Sequence, residues 1–281
     1  MDRRAPSAGL VFDEIGYWSE VKLDIVREYA QSYSKILARQ PQLTHVYIDG
    51  FSGSGVHRAK SSDRFVAGSP LNALKIVPPF HDYFLVDLDG DKVHQLAKLI
   101  GKRADVHLIE GDCNRLLLHE VFPNVRYDQF RRGLCLLDPY GLQLNWEVIE
   151  VAGRLKTIDM FLNFPIMDMN RNALWRRPEK VSVAGQARMT AFWGDDSWRQ
   201  IAYHSEPTLF GTEEVKGDNE TIVTAFSQRL KTVAGFEHVA QPLAMRNKIG
   251  AVVYYLFFAS QKPVAATIVK HIFRKYRDRR G

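Results

Sequence analysis

The sequence predicts an α/β chain: a doubly wound, mostly parallel sheet that ends in an antiparallel hairpin, with a helical insertion ahead of that hairpin. Three observations predict it. Five short β-rich runs alternate with stretches of helical periodicity between residues 44 and 162. Two longer apolar runs near the C-terminus are joined by only five residues, Arg246 to Gly250. Between these regions lie some fifty residues rich in Arg, Trp and Met, in which the alternation fades.

The first element is an amphipathic helix over residues 17–38, with Val21, Ile25, Val26, Tyr29 and Tyr33 on one face, ended by Pro41. Thr44 to Ile48 reads as the first strand and stops at Asp49-Gly50. A helix follows, with Ser69 as N-cap and Pro70 at its first position, and then a second strand, Tyr83 to Asp87. The pattern continues with a helix from about Asp91 to Lys102, a strand Val106 to Glu110, a helix from about Asn114 to Val121 and a strand Leu134 to Leu137. A helix from about Trp146 to Leu155 and a strand Ile158 to Leu162 complete it. Beyond the insertion come a helix (about Glu220 to Val233), the hairpin Val239 to Met245 with Ala251 to Ala259, and a closing helix from about Val264. The expected organisation is an N-terminal helical segment (1–43), an α/β domain (44–164 and 216–269), an Arg/Trp-rich insertion (165–215) and a basic tail (270–281).

With 281 residues, 46% of them hydrophobic, the chain is expected to bury a large core. Its longest apolar stretch, Ala251 to Ala259, falls well short of the roughly 20 residues of a membrane helix, and the N-terminus lacks a signal-peptide core. A soluble, cytoplasmic protein is expected. Two distant cysteines, Cys113 and Cys135, exclude a disulfide scaffold and a Cys-x-x-Cys zinc site, and no metal site is expected. Of the net charge of +6, the last twelve residues carry +5, through Lys270, Arg274, Lys275, Arg277, Arg279 and Arg280 against Asp278. Such a tail suits contact with the phosphates of DNA or RNA, or solubility alone.

In open α/β sheets ligands bind at the carboxyl ends of the strands, so those ends carry the candidate site. The first strand runs into Asp49-Gly50-Phe51-Ser52-Gly53-Ser54-Gly55, whose glycines permit a sharp turn and close approach of a ligand, or simply a tight structural turn. A dinucleotide fingerprint would have a glycine at Arg58, which disfavours a nicotinamide-dependent oxidoreductase. Asp87 ends the second strand and suits two ribose hydroxyls, while Asp89 suits the cap of the next helix. Asp112, after the third strand, fits either a helix cap or an acceptor for an adenine amine. Asp138-Pro139-Tyr140-Gly141, after the fourth, presents a carboxylate and a carbonyl that can hold an amine beside an aromatic face that can stack on a base.

The run Asp49-x-Phe51-x-Gly53-x-Gly55 resembles the glycine loop of class I S-adenosylmethionine-dependent methyltransferases, and the later acids and the D-P-aromatic follow in that family's order. More narrowly, the chain resembles the bacterial three-Cys-motif partner protein family. The resemblance rests on Lys22-Leu23 with Tyr29, on Asp49 to Gly55, on Gly68-Ser69-Pro70 and on Tyr254 to Ser260, and spans about residues 17–275. It implies a methyltransferase-like Rossmann fold and S-adenosylmethionine as cofactor. Asp49, Phe51, Gly53, Gly55, Asp87 and Asp112 would bind the cofactor, with Gly53 and Gly55 around its amino-acid end, Asp87 on the ribose and Asp112 near the adenine. It also implies a separate partner protein with a three-cysteine motif. Amino-directed nucleic-acid methyltransferases usually carry D-P-P-Y; D-P-Y-G is closer to the D-P-F-G of tRNA guanine N2-methyltransferases, which leaves the base open.

The leading expectation is a methyltransferase acting on an exocyclic amine of a nucleic-acid base. Asp138, Pro139 and Tyr140 would be its catalytic residues, and Arg274, Lys275, Arg277, Arg279 and Arg280 would contact nucleic acid. The alternative is a non-catalytic or accessory protein of the same fold that serves the three-cysteine partner. Trp175, Trp193 and Trp198 are expected in the core of the insertion rather than as base platforms.

Overall fold

The computed structural model describes residues 13–60, 64–208, 211–247 and 249–277. A short strand, β1 (Asp13–Ile15), leads into α1 (Tyr17–Leu37), whose face of Val21, Ile25, Val26, Tyr29 and Tyr33 is buried. Lys22 is buried beside that face, with 6% of its surface exposed. β2 (Thr44–Asp49) follows and ends in the glycine turn. Between the glycine turn and Gly68 the chain forms two strands, β3 (Val56–Ala59) and β4 (Phe65–Ala67). These pair antiparallel with each other, and β1 lies parallel to β3. The excursion closes where Gly68 N donates to Gly55 O at 2.7 Å.

The cap of helix α2 (Ser69–Ala73) is Gly68 rather than Ser69. Ser69 is the first helical residue, and its hydroxyl turns to Asp49 instead. β5 (Asp82–Asp87) leads to α3 (Gly90–Ile100), capped by Asp89, which accepts from Asp91 N and Lys92 N at 3.0 and 3.3 Å. β6 (Val106–Glu110) leads to α4 (Cys113–Leu116). The expected helix to Val121 loosens there into a π turn over Leu117–Val121 and a 3₁₀ turn that contains Pro123. β7 (Arg131–Leu137), α5 (Trp146–Arg154) and β8 (Ile158–Phe164) complete the parallel part.

The insertion contains α6 (Ile166–Asn172), α7 (Val183–Trp193) and α8 (Ser197–Ala202), and also an unexpected hairpin of β9 (Tyr203–Thr208) and β10 (Gly211–Lys216). That hairpin is rich in charge and carries Pro207, so it lacks the apolar alternation by which strands are read. Trp193 and Trp198 are buried, as expected, whereas Trp175 is 40% exposed. Then come α9 (Asn219–Thr232), β11 (His238–Val239), β12 (Leu243–Arg246) and β13 (Val252–Ser260). The run expected as one strand from Val239 to Met245 is broken at Pro242, which has no N–H for the ladder, and both pieces pair antiparallel with β13.

The large sheet runs β11-β13-β8-β7-β2-β5-β6, with β12 also on β13. Its members β2, β5, β6, β7 and β8 are parallel, while β13 lies antiparallel to β8. Alternate side chains feed two cores. Val46, Ile48, Cys135, Phe164 and Phe226 pack on one face, and Tyr29, Tyr47, Tyr83, Phe161 and Phe258 on the other. The expected basic tail is helical as far as Arg277, within α10 (Pro263–Arg277). Its Ile272, Phe273 and Tyr276 are buried, because apolar residues recur at helical spacing among the cations. Arg279 and Arg280 lie outside the described residues.

Candidate functional site

The carboxyl ends of β2, β7 and β8 open into a cleft of about 470 Å³. From the glycine turn come Phe51, Ser52 and Gly53, and from the end of β7 come Asp138, Pro139 and Tyr140. Lys22, His57 and Asn163 add polar groups to the lining, as do Asp13, Glu14, Ser19, Ser69, Asp168 and Arg171. The Lys22 ammonium forms an ion pair with Asp138 Oδ2, and Asn163 Nδ2 donates to Asp138 Oδ1 at 2.7 Å. Both oxygens of the carboxylate are therefore held. Lys22 also lies 5.4 Å from the centre of the Tyr254 ring.

Three buried polar atoms in this lining have no protein partner: Ser52 Oγ, His57 Nδ1 and Asn163 Oδ1. Burying such atoms without a partner costs free energy, so each calls for a polar partner. Desolvation lowers the pKa of His57, which keeps the ring neutral in this setting.

Asp49 lies beneath the turn, fully buried, and accepts from Phe51 N at 3.2 Å and Tyr47 Oη at 3.3 Å. Burial pushes its carboxyl up to about 7, against the lowering effect of its bonds from Ser69 and Phe51. Gly53 adopts φ +64°, and a Cβ there would meet only the His57 ring, at 4.0 Å, whereas Gly55, at φ +86°, packs so closely on Leu96 that a Cβ would lie 2.6 Å from its Cδ1. The first glycine thus leaves room on the ligand side, and the second fits the turn to α3.

Asp87 and Asp112 are not part of the cleft lining. Asp87, buried at the end of β5, accepts from Gly53 N at 2.7 Å and Asp89 N at 3.0 Å. Asp112 caps α4, accepting from Asn114 N at 3.0 Å, and Gly111 N donates to Asp87 O at 2.9 Å, which sets the two strand ends side by side. Tyr140, 56% exposed, shares a cluster that the sequence did not reveal. Lys92 Nζ reaches Asp13 Oδ2 at 2.7 Å and Tyr140 Oη at 3.1 Å, and lies 5.1 Å from the centre of the Tyr140 ring. Burial alone would lower the Lys92 pKa, but the bonds to Asp13 and Tyr140 outweigh it and raise it.

Lys22 and Asn163 were legible as anomalies, a cation among the apolar residues of α1 and an amide in the apolar run of β8; Asp13, His57 and Lys92 gave no such signal. Of the basic residues expected to meet nucleic acid, Arg274 is exposed, Lys275 pairs with Glu28 at 2.6 Å, and Arg277 donates to Gln241 at 3.2 Å.

Sheet and flanking helices define a mixed α/β protein with a mostly parallel central sheet. No protein-family model and no curated protein matches the chain. The fold is similar to the crystal structure of a protein of Legionella pneumophila str. Philadelphia 1, described with the family model DUF519. The TM-score is 0.51 and the identity 12%, over 90% of this chain and 92% of that one. Among the described residues no helix is long and apolar enough to cross a membrane, and no group of three or more His, Cys, Asp or Glu could hold a metal ion.

Proposed function

We propose that this chain is an S-adenosylmethionine-dependent methyltransferase of the three-Cys-motif partner type, acting on an exocyclic amine of a nucleic-acid base. One observation carries the reading: Asp138-Pro139-Tyr140, at the end of β7, shares a cleft with Gly53, whose N–H is bound by the acid ending β5. The unpartnered atoms of Ser52, His57 and Asn163 in the same cleft support a polar ligand there. Each Asp87 oxygen keeps a lone pair beyond the bond it accepts from the backbone, as a ribose contact needs.

The cofactor, when bound, supplies an electrophilic methyl group. The chain's own residues align and shield the acceptor. Asp138 and the Pro139 carbonyl orient the amine, Tyr140 stacks on the base, and Lys22 holds the Asp138 carboxylate in place. Cations of the insertion and of α10 attract the phosphate backbone. The accessory reading draws on a different observation, that Lys22 and Asn163 already engage both Asp138 oxygens, so an amine must share or displace one of them.

Transfer of a labelled methyl group to total DNA and RNA tests the proposal. The wild-type chain, alone or with a three-cysteine-motif protein, should label one polymer, and Asp138→Ala should abolish labelling. Labelling retained in Asp138→Ala would remove the assigned role, and no transfer by wild type under any of these conditions would favour the accessory reading.

A further inference from the structure

A second concave site lies at the opposite end of the sheet's strands, where β7 and β8 begin and β13 ends. Its volume is about 440 Å³, within the range of about 300–1,000 Å³ typical of small-molecule pockets. The proposed methyl transfer makes no use of it.

Its floor is polar. Asp159 accepts from the Tyr29 hydroxyl and from Ser260. Gln261, 7% exposed, donates its amide to the carbonyls of Gly153 and Gly235 at 3.0 and 2.9 Å. Those bonds occupy both amide protons and fix which way the amide faces. Gln261 Oε1 is left buried with no partner, and Gln261 lines the cavity.

The walls are aromatic, from Tyr33, Tyr127 and Phe130, and the Arg132 guanidinium lies over the Tyr127 ring at 4.2 Å. Arg132, Lys156 and Lys262 face a single carboxylate, Asp159, so the lining is cationic. Phe130 and Lys156 at the mouth both adopt φ +57°, a conformation rare outside glycine and concentrated at functional sites.

We propose that this cleft binds a small ligand made of an amine-bearing heteroaromatic ring and a phosphate, a purine mononucleotide being the simplest example. The amine would donate to Gln261 Oε1, the ring would pack on the aromatic walls, and the phosphate would meet the cations. An aromatic side chain from a partner protein would fill the walls but leave the cations and the Gln261 oxygen unmatched. The inference is independent of the proposed methyl transfer.

Calorimetric titration of the full chain with adenosine 5′-monophosphate tests it. Wild type should bind. Phe130→Gly, which relieves the left-handed strain and should not lower Tm, should bind at least tenfold more weakly, and so should Arg132→Met. Adenosine, lacking the phosphate, should also bind wild type at least tenfold more weakly. Because the probe resembles half of the proposed cofactor, the titration is repeated in excess S-adenosylhomocysteine, which should leave its affinity unchanged. No binding by wild type at millimolar probe would overturn the proposal. Binding lost in excess S-adenosylhomocysteine but kept in Phe130→Gly would overturn it too, as would equal affinities for adenosine and its monophosphate.

Discussion

Asp87 Oδ2 accepts from Gly53 N at 2.7 Å, so the acid that ends β5 holds the glycine turn that ends β2. The second oxygen accepts from Asp89 N at 3.0 Å, which fixes the plane of the carboxylate. A turn that needs left-handed backbone at both Gly53 and Gly55 is thereby tied to the neighbouring strand.

The two glycines should separate by property. Gly55→Ala combines a left-handed φ with a Cβ 2.6 Å from Leu96, so it should lower stability by well over the roughly 1 kcal/mol that φ alone costs. Gly53→Ala, whose Cβ would make only an ordinary contact with His57, should cost about 1 kcal/mol and act mainly on ligand affinity. Denaturant unfolding of both variants checks the order; equal losses would contradict the packing described for Gly55.

Lys22 and Asp138 should behave as a coupled pair. The Lys22 side chain is 8% exposed and that of Asp138 29%. Lys22→Met or Asp138→Ala alone should therefore destabilise by about 1–3 kcal/mol, below the roughly 3–5 kcal/mol of a fully buried pair. The double variant should lose less than the sum, because it leaves no unpaired charge. An additive double-mutant cycle would show that the two do not interact.

Asp49 should contribute a stability that falls as pH rises from about 4 to about 7, opposed over much of that range by His45, whose pKa burial lowers to about 4. The folded Asp49, raised to about 7, keeps a proton that the unfolded chain releases near 3.8. This contribution is complete at acid pH and lost as pH passes through the folded value. Asp159, raised to about 6 by burial, acts in the same direction over a narrower range. Asp49→Asn should gain stability relative to wild type between pH 5 and 8, measured by urea unfolding at each pH. Parallel profiles for the two proteins would contradict a protonated Asp49.

What the sequence made legible was governed by local pattern. The alternation of β-rich runs with helical segments marked β2, β5, β6, β7 and β8, and Asp89 was readable as a cap because it precedes a helix directly. The cleft was legible where its lining residues adjoin a strand end, as at Gly53 and Asp138. Asp13 and Lys92, which meet Tyr140, stand 127 and 48 residues from it in the chain, and nothing local to either marks the contact. β1, β9 and β10 escaped because short or charged strands lack the apolar alternation that reveals a buried face. The cations after Lys270 read as a tail because charge was weighed ahead of the buried Ile272, Phe273 and Tyr276 between them.

Those cations are expected to act on nucleic acid as a docked helix end. Neutralising Arg274 should lower the slope of log affinity against log salt by about 0.7–0.9, the share of one phosphate contact, whereas Lys275→Gln should change it less because Glu28 already pairs with that lysine. Filter binding across about 50–200 mM salt measures it. Slopes equal to wild type in Arg274→Gln would show that this helix end does not touch phosphate.

Cofactor binding is tested most directly by calorimetric titration of the purified chain with S-adenosylmethionine and its demethylated product, using wild type and Asp87→Ala. Wild type should bind, and loss of the carboxylate should weaken binding by about 1.5–3 kcal/mol, the worth of hydrogen bonds to a charged group. Asp138→Ala, altered only on the acceptor side, should stay within about twofold of wild type. Undetectable binding by wild type at millimolar cofactor, or equal binding by Asp87→Ala, would contradict the proposed cofactor site.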